Sequence, residues 1–372
     1  MILLAALPLA IWIYLLLGRG FFWRIPTFRP SAAVAPDTHR IAVVIPARDE
    51  ASSIGRVIES WRTQRYDGPL CVFLVDDHSS DGTSEIARLA IEGSSSRFRL
   101  LSAPEKPADW TGKLWAVALG VEAAREFSPD YILFTDADIV HSPDTLRALV
   151  ARAVGGYDLV SLMVRLNCET LAERSLIPAF VFFFFLLYPP RWIRSPRSRT
   201  AGAAGGCMLL RRNLLEKAGG IQAIRNALID DCALAAAVKR AGGRVLLMAA
   251  ESSDSLRVYP DFSEIGRMIS RTAFTQLQYS LLLLAGTLAG LLVTYLLPVA
   301  FTIFAGGVPR LEGIAAWFLM SIAYFPSVRY YRISPIWSLA LPAIAIFYSG
   351  ATMYSAVQYW RGRGGEWKGR TL

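Results

Sequence analysis

The chain has 372 residues, enough for one large domain or two smaller ones. Hydrophobic residues are 53% of it and charged residues 19%, with the apolar content gathered at the two ends. That balance argues against a chain fully solvated by water and for a catalytic or binding domain tethered by membrane segments. The net charge of +9 sits largely in short arginine patches beside apolar stretches: Arg19, Arg24 and Arg29; Arg191, Arg194, Arg197 and Arg199; and Arg361, Arg363, Lys368 and Arg370. Such placement points to anionic headgroups on a cytoplasmic membrane face. No zinc-finger spacing or RNA-binding motif accompanies it, so no nucleic acid is expected as a partner. The four cysteines (Cys71, Cys168, Cys207, Cys232) are widely spaced and fit reduced thiols better than a disulfide frame or a zinc site.

In chain order, residues 2 to 18 are uncharged and make a short spanning helix. A signal peptide is the competing reading, but there is no basic leader, and Gly18 to Arg24 reads as an interfacial anchor. The arginines that follow place that end inside. Residues 29 to 38 read as a linker. From Arg40 the pattern becomes α/β. Ile41 to Ile45 is a buried strand running into Pro46-Ala47-Arg48-Asp49-Glu50, with Ser52 and Ser53 as caps for the next helix. Leu70 to Val75 is a second strand ending in Asp76-Asp77, and a helix starts near Thr83. Phe98 to Ser102 is a short strand; Trp110-Thr111-Gly112-Lys113 opens a helix. Strands alternating with helices imply a mostly parallel sheet, whose ligands bind beyond the carboxyl ends of the strands.

The stretch that organises the rest is Tyr131 to Val140. An apolar strand ends in Asp136-Ala137-Asp138. Two carboxylates one residue apart at the mouth of a buried strand repel each other and call for a cation between them. A divalent ion with hard oxygen ligands, Mg²⁺ or Mn²⁺, answers that need and can hold a diphosphate. The plainer alternative is a pair of turn or capping aspartates.

Further on, Tyr157 to Val164 is another strand. Leu176 to Tyr188, with four consecutive phenylalanines between prolines, reads as an interfacial or re-entrant segment near an acceptor entrance, with a buried core helix as the alternative. Ala201 to Arg212 is glycine-rich and then apolar. Ile229-Asp230-Asp231 precedes a strongly helix-forming run that ends in glycines; both aspartates could simply cap that helix. Residues 281 to 305 and 335 to 358 are long enough to span, and 313 to 328 are marginal. Three spans would put the basic tail outside, against its charge, so one segment is expected to be re-entrant, with 313 to 328, interrupted by Pro326, the one proposed.

VVIPARDE, VDDHSSDGT, WTGKLWAVALG and FTDADI, in that order, resemble the nucleotide-binding half of family 2 glycosyltransferases with the GT-A fold, over roughly residues 40 to 280. A dinucleotide-binding fold is the nearest rival, but no G-x-G-x-x-G follows the first strand. The resemblance implies an α/β domain with a mixed, mostly parallel sheet at 38–278, an anchor and linker at 1–37, and a membrane region with a basic tail at 279–372. It implies that Pro46, Ala47, Glu50 and Asp77 hold the base and ribose of a nucleotide-sugar, a UDP-sugar. Lys113, at a helix start, meets phosphate; Asp136 contacts ribose or metal, and Asp138 binds the divalent metal. Asp230 stands where the family carries glutamate, as a substrate-binding residue, and Asp231 matches the general base of inverting members. Arg271 matches the arginine of the Q-x-x-R-W motif and can pair with diphosphate, whereas Arg267 and Thr272 replace its glutamine and tryptophan. Losing the tryptophan that stacks on a growing polymer argues for a single transfer to a small or lipid acceptor.

With IDDCAL, RMISRTAFTQLQYS and membrane helices at both ends, the set is most similar to the hopanoid-associated glycosyltransferases, and also to carotenoid-type and ceramide-type enzymes. The expectation is a multi-pass protein of the bacterial inner membrane with a cytoplasmic catalytic domain. A processive polysaccharide synthase and an inactive scaffold of a lipid-biosynthesis complex are the alternatives. His78, His141, Arg257 and Tyr259 lie near these motifs without an assigned role.

Overall fold

The computed structural model describes residues 2–30, 38–93 and 97–363. Among these, nine strands form one sheet: β1 Thr27–Phe28, β2 Ile41–Ala47, β3 Leu70–Asp76, β4 Phe98–Ser102, β5 Tyr131–Thr135, β6 Ile139–His141, β7 Leu159–Arg165, β8 Cys207–Arg211 and β9 Val245–Ser255. The spatial order is β1-β9-β7-β8-β5-β2-β3-β4, with β6 paired to β9. Five of the eight pairings are parallel, which makes the sheet mixed and mostly parallel, as expected. β2, β3 and β5 bury every residue, as parallel strands covered on both faces must.

Helices α1 Ile2–Leu17, α2 Ile54–Arg62, α3 Thr83–Ile91, α4 Gly112–Ala123 and α5 Thr145–Val154 follow the expected alternation. Parallel pairing of β2 with β3 and β5 gathers Ala47, Asp76 and Thr135 at one edge. The antiparallel β8 then starts there, because Cys207 lies opposite Thr135. The glycine pair before β8 is thereby delivered to the same edge as Asp136. Pairing of β6 with β9 brings Ser255 beside Ile139.

α6, Leu171–Leu187, corrects the expectation for the phenylalanine-rich stretch. It is a core helix, begun by a capping box between Thr170 and Glu173 and running through Pro178. Phe182 and Phe185 are fully buried, and Phe182 and Phe183 meet Tyr295, Tyr324 and Tyr348 of later apolar helices edge-on or tilted. So much aromatic area gains more by packing between sheet and helices than by lying on a membrane surface. α7 Pro190–Arg194, α8 Arg212–Lys217, α9 Asp230–Arg240 and the amphipathic α10 Phe262–Gln276 complete the sheet-bearing part.

Among the described residues three helical stretches are long and apolar enough to cross a membrane: Leu281–Phe304, Gly307–Tyr330 and Pro335–Trp360. The first is α11 Leu281–Leu291 and α12 Leu297–Phe304 joined by a π turn; the second is α13 Gly307–Tyr330; the third ends in α14 Leu341–Trp360. α1 is shorter than these and packs along α13, with Trp12 Nε1 donating to Thr294 O at 2.8 Å.

The segment 313 to 328, expected to be interrupted at Pro326, lies in one helix: α13 runs unbroken through Pro326 over 24 residues. The chain folds back after it. α13 ends at the sheet, where the Tyr330 hydroxyl donates to Ala250 O. The chain then turns back until Leu339 O accepts from Trp317 Nε1, midway along α13, at 3.2 Å. α14 returns from that depth along α10. Its end stacks Tyr359 on Tyr279, 4.3 Å between centroids, just before α11 begins. Of the tail, Arg361 and Arg363 are described and exposed, and Lys368 and Arg370 lie outside the described residues, as do residues 31–37 of the expected linker.

Candidate active site

The carboxyl edge of β2 and β5, the start of α4 and the start of α9 surround a cavity of about 310 Å³. Of the residues expected from sequence, Pro46, Glu50, Lys113, Asp136, Asp138, Asp230, Asp231 and Arg271 line it. Ala47 and Asp77 do not. Asp77 is fully buried behind Arg48, whose Nη1 donates to Asp77 O at 2.7 Å and lies 3.6 Å from its carboxylate. Arg48, rather than Asp77, presents itself to the cavity.

Local hydrogen bonds explain these positions. Thr111 caps α4 by accepting from Leu114 N, which places Lys113 in the first turn. Its ammonium lies 2.9 Å from Asp136 Oδ1 and 3.2 Å from Asp230 Oδ2. Burial works against the charge on Lys113, but these two carboxylates outweigh it and hold the group protonated well above its ordinary range. Asp230 and Asp231 occupy the first turn of α9, where the helix end favours negative charge. Asp231 accepts from its neighbour Cys232 N at 2.7 Å and, across the cavity, from Gly205 N at 2.9 Å. Burial, then the Asp230 charge, raises Asp231 to about 6, against the pull of Lys113 and the two N–H groups. A carboxylate so placed is a base that can take a proton near neutral pH.

Asp138 accepts from Ser255 Oγ at 3.0 Å. Burial and the charges of Asp136 and Glu50 also raise it to about 6, opposed by Ser255 and Arg257. Among the described residues no three Asp, Glu, His or Cys groups converge as a closed cage. What the cavity has is an open pair, Asp136 and Asp138, with the Glu50 carboxylate close enough to add its charge to that on Asp138. That donor set fits a hard divalent cation that keeps positions for phosphate oxygens and water.

Other residues act behind the wall. Ser53 does not cap α2 with its side chain; its hydroxyl donates instead to Ala137 O at 2.9 Å, tying the first loop to the Asp-Ala-Asp turn. Asp49, at φ +50°, accepts from Ser80 N and is a turn residue. His141 is buried between Thr135 Oγ1 at 3.0 Å and Ser253 Oγ at 2.8 Å, and burial pushes it down to about 3, so it stays neutral. Thr135 also donates to Gly206 O at 2.8 Å. This network joins the strand before Asp136 to the loop that meets Asp231. Nothing in the spacing around His141 signals it, since its partners are 6 and 112 residues away.

The lining also has apolar members: Met163, Leu166, Phe180, Phe184 and Met268. Arg257, whose charge acts on Asp138, and Arg271 line the same cavity, and among the described residues neither guanidinium has a carboxylate within 4.0 Å.

The family model Glycosyl transferase family 2 matches residues 42–219. An undecaprenyl-phosphate 4-deoxy-4-formamido-L-arabinose transferase of Aeromonas hydrophila subsp. hydrophila is 31% identical over 137 residues, 35% of this chain and 38% of that protein. Its namesake from Pseudomonas savastanoi pv. phaseolicola is 28% identical over 174 residues, 45% and 46% of the two chains. The chain thus spans less than half the length of these curated relatives. Among solved structures, the mannosyltransferase PcManGT from Pyrobaculum calidifontis, in complex with GDP-Man and Mn²⁺, superposes with a TM-score of 0.58. It is 19% identical and covers 95% of this chain and 99% of its own, a likeness of fold. The motif loops gather at one sheet edge of a GT-A fold, and the stretch that carries them, residues 42–219, is similar to Glycosyl transferase family 2.

Proposed function

We propose that this protein transfers a single sugar from a nucleotide-sugar, a UDP-sugar, to a lipid hydroxyl at the cytoplasmic face of a bacterial inner membrane, with inversion. The observation that carries the reading is the mixed lining of one cavity. It holds Lys113, Asp136, Asp138, Asp230 and Asp231 together with Phe180, Phe184 and Met268, which pack against a core shared with helices apolar enough to enter a bilayer. In this reading the acceptor oxygen attacks the anomeric carbon as its proton passes to Asp231, and the bond from that carbon to the diphosphate breaks on the opposite face. Lys113 and Arg271 meet the charge that develops on the leaving diphosphate. Asp136 and Asp138 would hold Mg²⁺ or Mn²⁺, which neutralises phosphate oxygens. Thr272, where a polymer-stacking tryptophan would stand, supports one transfer rather than many. A hopanoid alcohol is the first acceptor to try.

A second reading takes a polyprenyl phosphate as acceptor. It draws on the activity named for the relatives and on Arg257 and Arg271, cavity residues with no carboxylate within 4.0 Å among the described residues. A phosphate oxygen is already anionic and needs no base. Full-length protein in nanodiscs, given UDP- and GDP-sugars with Mn²⁺, separates the two. The hydroxyl reading expects turnover with alcohol lipids and its loss in Asp231→Asn. Turnover with polyprenyl phosphate that survives Asp231→Asn selects the second reading. Donor that neither binds nor turns over, in a folded protein, refutes both.

A further inference from the structure

We propose that the junction between the segment after α1 and the segment after α6 is a binding site for the phosphate headgroup of an anionic phospholipid, separate from the cavity. Three guanidiniums meet one aromatic cluster there. Arg19 lies 4.7 Å from the Trp192 ring centroid and donates from Nε to Leu186 O. Arg24 lies 5.0 Å from Phe21 and 4.9 Å from Trp23, and Arg191 lies 5.3 Å from Phe21 on the other segment. Among the described residues none of the three has a carboxylate within 4.0 Å, and the sequence has no Asp or Glu in 1–36 or 174–215. Gathering like charges without a counter-ion is unfavourable, and ring faces offset only part of that.

The cluster is fixed in place. Gly20 and Phe21 are both left-handed, at φ +65° and +52°, a conformation that an aromatic residue rarely adopts. A Cβ on Gly20 would stand 2.9 Å from Trp192 Nε1, so this turn seats directly on α7. Phe22 is buried against Phe182, and Lys239 Nζ donates to Ile193 O at 2.8 Å, holding α7 from beneath. Strain held by such packing marks a site that does something with its geometry.

The occupant follows from what surrounds the charges. Leu17 and Leu187, at the ends of the two apolar helices, are exposed. A free phosphate would use only the arginines; a phospholipid also lays acyl chains along those leucines. Planar guanidiniums suit a phosphodiester better than point charges do.

The test uses the full chain in detergent and native mass spectrometry. Phosphatidylglycerol, phosphatidylcholine and inorganic phosphate are offered to the wild type and to the Arg19→Gln/Arg24→Gln/Arg191→Gln variant. At about fivefold per interfacial arginine, the triple variant should retain phosphatidylglycerol roughly 100-fold less than the wild type. Arg29→Gln/Arg361→Gln/Arg363→Gln, which removes three arginines elsewhere, should retain it unchanged. The wild type alone should prefer phosphatidylglycerol to phosphatidylcholine, and phosphate at millimolar concentration should compete weakly. Equal retention of the two lipids by the wild type overturns the proposal whether or not the variant folds. Retention that follows total charge rather than these three positions also overturns it, and so does competition by phosphate as strong as by lipid. None of these readouts involves sugar transfer, so the proposed activity stands or falls apart from it.

Discussion

Lys113 and Asp230 are expected to move the titration of Asp231 in opposite directions. Asp231 accepts a proton only when ionised, so activity should fall as pH drops through its value of about 6. Lys113 favours the ionised form and Asp230 opposes it. At about 4 Å and an effective dielectric constant of about 20, a unit charge is worth about 4 kcal/mol. Lys113 and Asp230 keep 26% and 20% of their side-chain surface in water, which screens that interaction. A shift of about 1 pH unit, or about 1.4 kcal/mol, remains. In a kcat/KM profile at fixed Mn²⁺, the acid limb should rise to about 7 in Lys113→Met and fall to about 5 in Asp230→Asn. Lys113→Met should also lose roughly 100-fold in kcat, because a positive group facing the diphosphate is gone. Limbs that move together, or stay where they are, would refute the role of Asp231 as base.

Asp138→Asn should weaken Mn²⁺ binding at least roughly 10-fold, measured by electron paramagnetic resonance titration with donor present; unchanged binding would place the cation elsewhere. Gly120→Ala puts a methyl 2.5 Å from Val44 Cγ1 and 3.2 Å from Val75 Cγ2, pushing α4 off the sheet. It should cost about 1–3 kcal/mol in denaturant unfolding, and Val44→Ala should recover part of that. Phe184→Ala should raise KM for the lipid acceptor and leave donor affinity unchanged, since Phe184 belongs to the apolar part of the lining; a donor effect alone would reassign that part. A cysteine from Arg363→Cys should react with an impermeant maleimide from the same side as one from Glu59→Cys, and Phe304→Cys from the other side. Labelling of positions 363 and 304 from one side would contradict the returning path of α14.

Much of the site was legible because its parts are local. Asp136 follows β5 directly, Lys113 follows the Thr111 cap, and Asp231 lies in the first turn of α9; each is set by a few neighbouring residues and by strand or helix ends. The parallel core was legible for the same reason, from apolar runs divided by turn residues. What stayed hidden depends on partners far away in the chain. Arg48 covers Asp77 because two loops separated by a helix meet edge to edge, and Ser53 leaves its expected cap for a carbonyl 84 residues distant. His141 is silent in the sequence because a neutral imidazole between two hydroxyls needs no charged neighbour to announce it.

The phenylalanine-rich helix shows why the boundary between the sheet-bearing part and the long apolar helices was hardest to read. Composition divides the chain at residues 38 and 279, yet apolar packing does not stop there. One buried cluster runs from Trp12 and Tyr295 through Phe182 and Tyr324 to Leu114 of α4 and Leu234 of α9. The helices bearing Lys113 and Asp231 therefore share a core with helices apolar enough to enter a bilayer. α6 lies between them, with Phe182 and Phe183 turned to the apolar helices and Phe180 and Phe184 to the cavity. A run apolar on every face reads as a membrane segment by composition alone. Here it has no polar face because it packs on two apolar surfaces, the later apolar helices on one side and the apolar part of the cavity lining on the other.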